Sequence, residues 1–289
     1  MARMAGTAAR AEALLEASVV STTPVAGGDI CTATRLRMTD GRNAVIKTRS
    51  QAPAEFFRRE ADALRWLKEA GGAPVPEVLA VDDECLILDW IEPVRPSTES
   101  ADQFGRNLAA THRAGAESYG AAHDGYIGLA PLPNRPLDTW AEFYASRRVM
   151  PYVRAAVDRA ALTPEDADSI ELAMRRIHDL AGPEEGPARI HGDLWSGNVV
   201  WGAENQVWLI DPAAHGGHRE TDLAMLALFG IPHLQRVLDA YHEAWPLADG
   251  WKERVALHQL HPLLVHAVLF GGGYGARAAD AARSLLDHA

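Results

Sequence analysis

Cysteine is nearly absent: Cys31 and Cys85 are the only two in 289 residues. That count excludes a disulfide framework and a four-cysteine zinc site. Positive charge is also scarce, with 28 Lys and Arg against 39 Asp and Glu, a formal net charge of −11. No basic excess can neutralise a nucleic-acid backbone or an anionic bilayer surface, so neither partner is expected, although a local pocket for one small anion stays possible. Long apolar runs are missing as well. The longest, Pro262 to Gly273, is interrupted by His266 and is too short to span a bilayer. Arg3, Arg10, Glu12 and Glu16 punctuate the N-terminal stretch and leave no secretory hydrophobic region, so a cytoplasmic location is expected. No HExxH motif accompanies the 12 histidines, although His215/His218 and His258/His261 have helix-face spacing. Structural roles are expected for them rather than metal ligation.

What is present suits a globular protein with a real core, in one large domain or two modest ones: 47% of residues are hydrophobic and 23% charged. The first seventeen residues read as a short amphipathic helix. Strands are expected near Ser18–Val25, Ile30–Met38 and Asn43–Lys47, with Thr39-Asp40-Gly41 as a hairpin turn. Ala54 to Ala70 carries a helical apolar period stopped by Gly71-Gly72. Val78–Val81 and Cys85–Trp90 read as two further strands. Helical patterns dominate from Thr98 onward, apart from a loop-rich stretch at 120–138 and a β patch at 190–210. The expected class is therefore α+β and bilobal. A small β-rich N-lobe (1–92) would be followed by a larger, mainly helical C-lobe (93–289).

The chemistry is concentrated in His191-Gly192-Asp193-Leu194-Trp195-Ser196-Gly197-Asn198, followed by an apolar strand ending at Asp211, thirteen residues after Asn198. Phosphoryl transfer from ATP needs an aspartate to orient and deprotonate the attacking hydroxyl, and an asparagine and a second aspartate to hold magnesium. Asp193, Asn198 and Asp211 fit those roles. Lys47 ends an alternating strand, where a lysine for the α- and β-phosphates sits in kinase N-lobes, and Glu60 on the following helix could pair with it. Gly27-Gly28 could admit phosphates to backbone amides. Asp89, Trp90 and Ile91 lie where a hinge would meet adenine. Singly, most of these residues are better explained as turn caps and surface charges; the joint spacing favours an ATP site.

The loop HGDLWSGN closely resembles the catalytic loop of the fructosamine kinase (ketosamine-3-kinase) family, relatives of aminoglycoside phosphotransferases and choline kinases. HGDxxxxN is shared across those phosphotransferases, whereas Trp195-Ser196-Gly197 is more selective. Three further stretches share the resemblance, which runs from about Ser18 to Tyr274: Gly217 to Ala224, Tyr126-Ile127-Gly128 with Asn134 and Trp140, and Leu264 to Tyr274. It implies a protein-kinase-like fold and ATP- and magnesium-dependent phosphorylation of the 3-hydroxyl of a ketosamine, free or protein-bound, in a deglycation step. Carried over, Asp193 is the base, Asn198 and Asp211 bind magnesium, Lys47 and Glu60 form the nucleotide-side ion pair, and Asp89 to Ile91 form the hinge. Trp195 replaces the lysine usual in protein kinases and either stacks on the acceptor or packs beneath the loop.

His191 is expected to support the catalytic loop. His215 and His218 would serve the substrate side or pack the following segment, which an Arg219–Asp222 pair could brace. Redox control through Cys31 is not transferred, because Asp29 occupies the position where some relatives carry a loop cysteine. An aminoglycoside or choline-type phosphotransferase, or a non-catalytic nucleotide-binding pseudokinase, is the alternative. Lys47, Asp193 and Asp211, whose loss would mark a pseudokinase, are all present, and a monomer is the default.

Overall fold

The alternation of Asn43-Ala44-Val45-Ile46-Lys47 decides what each face of the N-terminal sheet does. In a computed structural model, which describes residues 2–26 and 30–287 with side chains from residue 6 onward, this strand is β3 (Asn43–Thr48). Ala44 and Ile46 point to one face, where they are buried with Leu36, Ile87 and Ala11. Val45 and Lys47 point to the opposite face and line a deep cleft. The sheet is antiparallel throughout, in the order β1-β2-β3-β5-β4. Its other strands are β1 (Val19–Val25), β2 (Thr32–Met38), β4 (Val78–Val81) and β5 (Cys85–Asp89).

Each sheet face is covered by one helix. On the first, α1 (Ala2–Leu15) packs Ala11, Leu14 and Leu15, and its Arg10 donates to Asp82 at 2.6 Å. On the second, α2 (Phe56–Lys68) buries Phe57, Ala61, Leu64 and Leu67 at helical spacing. The helix starts two residues later than its apolar period suggests because Glu55 adopts a left-handed φ of 63°. Its inward stripe joins Leu86 and Leu88 in a cluster that continues into the C-terminal half through Phe104, Leu108, Leu194 and Leu209. Truncating a ring such as Phe57 or Phe104, both 0% exposed, would cost about 3–5 kcal/mol.

After irregular residues 90–97, α3 (Thr98–Arg113) opens with a Ser97/Ser100 capping box. Short strands β6 (Gly125–Ile127) and β7 (Ala130–Leu132) form a hairpin. Next come α4 (Trp140–Phe143), a widened π-helical turn over Tyr144–Val149, α5 (Met150–Asp158), α6 (Pro164–Arg175) and α7 (Ile177–Leu180). The β patch resolves into β8 (Ala188–Ile190), β9 (Val199–Trp201), β10 (Val207–Leu209) and β11 (His215–Gly217). The chain finishes with α8 (Arg219–Phe229), α9 (Leu234–Ala244), α10 (Trp251–Phe270) and α11 (Tyr274–Asp287). Among the described residues no helix is long and apolar enough to cross a membrane.

Candidate active site

Two small antiparallel pairs aim the HGDLWSGN loop. Strand β8 pairs with β11 and delivers the chain into His191, and β9 pairs with β10 so that Leu209 faces Val199. The next residues out are then Asn198 and Ile210, joined by the Ile210 N–H donating to the Asn198 carbonyl at 3.0 Å. That register brings Asp211, which has a left-handed φ of 55°, beside Asn198. Aspartate tolerates this conformation better than most residues. Between the pairs, a 3₁₀ turn over Ser196–Asn198 folds the loop back. The Asn198 amide then donates to the Asp193 backbone carbonyl at 2.8 Å and to its carboxylate at 3.0 Å.

Buried groups brace the loop from beneath. Asp222 on α8 accepts from the backbone N–H of His191 at 2.7 Å and of Gly192 at 2.9 Å. Burial opposes ionisation of Asp222, but the His112 ring and these N–H groups outweigh it and hold its carboxyl below the ordinary aspartate range. His191 lies against the Ile210 carbonyl through Nε2 at 2.9 Å, while its Nδ1 accepts from the Asp193 N–H at 3.3 Å. Those two contacts require a neutral imidazole with its proton on Nε2, and burial lowers the His191 pKa in agreement.

Opposite the loop, Lys47 Nζ donates to Glu60 at 2.6 Å and to Asp211 at 2.7 Å. Burial would discharge Lys47, but Asp211 and Glu60 reverse that and raise its pKa. Two carboxylates share one ammonium here, so Glu60 is pushed up to about 7, by burial first and then by Asp211 against the pull of Lys47. Asp193 is likewise moved from 3.8 to about 7; burial dominates, the Asn198 amide opposes it, and the charges of Asp211 and Asp222 add to it. Perturbed carboxylates in a cleft mark a candidate functional site, although an ion-pair network such as Lys47 with Glu60 and Asp211 shifts pKa values as well.

These groups line a cavity of about 1490 Å³ between the lobes, which also takes in Asp89, Trp90, Ile91, Trp195 and His215. Gly27 and Gly28 lie outside the described residues. The Trp195 indole folds over Gly197, where a Cβ would come within 2.3 Å of the ring, and its edge meets Phe229 at 6.2 Å between centroids. It therefore forms wall rather than packing under the loop. His215 also faces the cleft. His218 does not: it is buried against Trp140 and His258, with centroids 5.0 and 4.8 Å away, and caps α8 by accepting from the Glu220 N–H at 3.2 Å. The expected Arg219–Asp222 pair does not form either. Although three positions apart on α8, Asp222 turns inward to the loop. Arg219 turns toward Glu185, which it meets at 2.6 and 2.7 Å, and lies 4.0 Å over the Trp245 ring.

A fructosamine kinase family model matches residues 4–288, almost the entire chain. The chain belongs to the fructosamine kinase family. It is 36% identical over 252 residues to a probable ketoamine kinase of Thermus thermophilus, covering 87% of this chain and 88% of that one. The probable ketoamine kinase YniA of Escherichia coli is 30% identical over 266 residues, covering 90% and 91%. A crystal structure of a candidate fructosamine-3-kinase from Thermobifida fusca superposes with a TM-score of 0.92 at 49% identity, covering 97% and 98%. The choline kinase LicA of Streptococcus pneumoniae shares the fold, with a TM-score of 0.68 at 14% identity, covering 99% and 100%. The bilobal kinase-like architecture expected from the sequence is thus the observed one.

Three residues of this fructosamine kinase fold escaped the sequence reading. His112 on α3 meets Asp222 through Nε2 at 3.1 Å and the Tyr241 hydroxyl through Nδ1 at 2.9 Å, supporting the loop from one layer below. Arg148 meets both Asn134, at 2.5 Å, and His215, at 3.2 Å. Glu220 accepts twice from Arg254, at 2.9 and 2.6 Å, deep in the C-lobe. None of these belongs to a local motif, since each partner lies at least 14 residues away. The ligand-type atoms of His218, Glu220 and His258 come within 4.8 Å of one another. Both Glu220 oxygens are already engaged by Arg254, however, and His258 Nδ1 faces the Thr221 hydroxyl at 2.9 Å, so hydrogen bonding accounts for this cluster.

Proposed function

We propose that this chain is an ATP- and magnesium-dependent ketosamine 3-kinase, transferring the γ-phosphoryl group to the 3-hydroxyl of a sugar-derived ketosamine. The supporting observation is the convergence of Asp193, Asn198, Asp211 and Lys47 on one cleft from segments up to 164 positions apart. The donor set suits magnesium. Asn198 commits its Nδ2 to Asp193, which turns its carbonyl oxygen outward, and Asp211 keeps a carboxylate oxygen beyond the one that Lys47 uses. Asn198 and Asp211 would hold the ion, which when bound neutralises charge on the phosphates.

Lys47 offers the phosphates a fixed cation, with Glu60 preventing its side chain from swinging away. Asp89 to Ile91 form the adenine side of the cleft. A sugar hydroxyl is far too weakly acidic to ionise freely near neutrality, so Asp193 aligns it and accepts its proton late in the transfer. Trp195, at the same wall, offers an indole face for the sugar or its amine. The proposed domain roles follow: residues 1–92 for nucleotide, 93–289 for metal and acceptor.

The test is magnesium-dependent ADP release on ribulose-lysine, fructose-lysine and an aminoglycoside. Turnover on a ketosamine, reduced at least a hundredfold in Asp193→Asn while ATP binding persists, is the expected result. ADP release on the aminoglycoside alone would reassign the acceptor, and full activity in Asp193→Asn would refute the role of that residue.

A further inference from the structure

Arg148 is only 2% exposed, yet among the described residues no carboxylate pairs with it. Its guanidinium donates to neutral acceptors only: the Pro133 carbonyl at 2.5 Å, the Arg147 carbonyl at 3.4 Å, Asn134 Oδ1 at 2.5 Å and His215 Nε2 at 3.2 Å. The Phe143 ring lies 4.5 Å from its central carbon. Asp124, the carboxylate that acts on it from a distance, is turned to the Asn134 N–H at 2.7 Å. Burial lowers the Arg148 pKa to about 10, so the charge persists at neutral pH. An unpaired buried cation is costly unless the fold uses it.

Its position suggests a use. Arg148 emerges from the widened turn over Tyr144–Val149, a local geometry often retained at functional sites. The two side chains it grips, Asn134 and His215, both line the cleft. His215 Nδ1 is occupied by the Ala213 carbonyl at 2.8 Å, so accepting from Arg148 makes it a neutral ring with no nitrogen to spare. Asn134 gives its oxygen to Arg148 and its Nδ2 to the His123 carbonyl at 3.1 Å. An ammonium group reaching this wall would find those acceptor atoms turned away from it, toward a buried cation.

We propose that Arg148 is a positioning and specificity-determining residue, which through Asn134 and His215 gives the acceptor wall a positive bias. The amine side of the acceptor then carries a carboxylate or a neutral group in preference to a second ammonium. This rests on the ketosamine reading above. With an effective dielectric of about 20, a unit charge one residue behind the wall supports a discrimination of roughly tenfold.

Ketosamines made from one sugar and 4-aminobutanoate, butylamine or 1,4-diaminobutane end in a carboxylate, a methyl and an ammonium group. Dissociation constants by calorimetry and KM by ADP release are measured for each. Wild type is expected to bind them in that order of decreasing affinity, about tenfold or more between the ends, with one KM for ATP. Arg148→Lys keeps the order because the cation remains; Arg148→Met flattens it to within about threefold. Equal affinities in wild type, or an undiminished order in Arg148→Met, would overturn the proposal. If Arg148→Met does not fold, the wild-type and Arg148→Lys series decide. Ordered binding without turnover upholds the charge assignment and refutes the kinase reading; turnover without order does the reverse, and no binding at all overturns both.

Discussion

Replacing Asp222 by Asn tests whether the catalytic loop is held from beneath. Asp222 is 0% exposed and takes three donors: the N–H groups of His191 and Gly192, at 2.7 and 2.9 Å, and the His112 ring at 3.1 Å. Its lowered pKa shows that these donors favour the ionised form against burial, so losing the charge costs stability even though a buried ion is removed. Asparagine has one acceptor oxygen. Placed at Oδ2, that oxygen serves His191 and His112, while its NH₂ confronts the Gly192 N–H, donor against donor. A lost charge-assisted hydrogen bond and an orphaned buried N–H together amount to about 3 kcal/mol. For a chain of this length that is roughly 5 °C in melting temperature.

Function should suffer beyond stability, because Gly192 leads directly into Asp193. If Asp193 is the base proposed above, displacing it by about 1 Å is worth on the order of a hundredfold in rate. Differential scanning calorimetry and steady-state kinetics at a temperature where both proteins are folded separate the two effects. The KM for ATP is expected to hold, since Lys47 and Glu60 do not touch Asp222. Loss of stability should also depend on pH. A carboxyl whose folded pKa is depressed contributes fully above its unfolded value of about 3.9, and that contribution disappears as pH falls through the folded value. The difference between wild type and Asp222→Asn therefore shrinks below about pH 4. A variant within 1 kcal/mol of wild type and with full turnover would refute the bracing argument.

Other substitutions probe other parts of the molecule. Gly197→Ala would set a Cβ 2.3 Å from the Trp195 ring; the indole must leave its place, and the acceptor KM should rise severalfold in the ADP-release assay while the KM for ATP stays unchanged. Glu220→Gln breaks a buried pair in which Arg254 and His258 hold the carboxyl at about 2 against burial, with a loss of about 3–5 kcal/mol in urea denaturation. That contribution is complete only above about pH 5 and fades as pH falls toward 2. Lys47→Met leaves two carboxylates facing each other without their cation; Glu60 takes up a proton, the fold persists, and ATP affinity by calorimetry drops at least tenfold.

The sequence made the local features legible. The five N-lobe strands and α2 follow from period-two and period-3.6 patterning, and Asn198 and Asp211 lie on either side of a short apolar hairpin whose register alone brings them together. Long-range partnerships were hidden. Arg219 and Asp222 carry opposite charges at helical spacing, which makes a pair plausible until tertiary structure supplies each with a better partner. The closeness of His218 to Asp211 allowed either a substrate-side role or packing of the following segment. The capping of α8 by His218 turns it into the C-lobe core. Nothing in the neighbourhood of Arg148 signals that Asn134 and His215, which flank it at 14 and 67 positions, converge on its guanidinium.

The apolar cluster running from α2 and β5 into α3, the catalytic loop and β10 bears on how the chain unfolds and how it can be divided. Leu86 and Leu88 share their environment with Phe104, Leu194 and Leu209, and a backbone bond reinforces the junction: Leu209 donates to the Pro74 carbonyl at 2.9 Å. An isolated fragment of the first ninety-two residues would expose that leucine face to water and leave the Pro74 carbonyl without its partner. Heating the intact protein should accordingly give one endotherm rather than two, and the N-terminal lobe has no existence as a free-standing module to be grafted elsewhere.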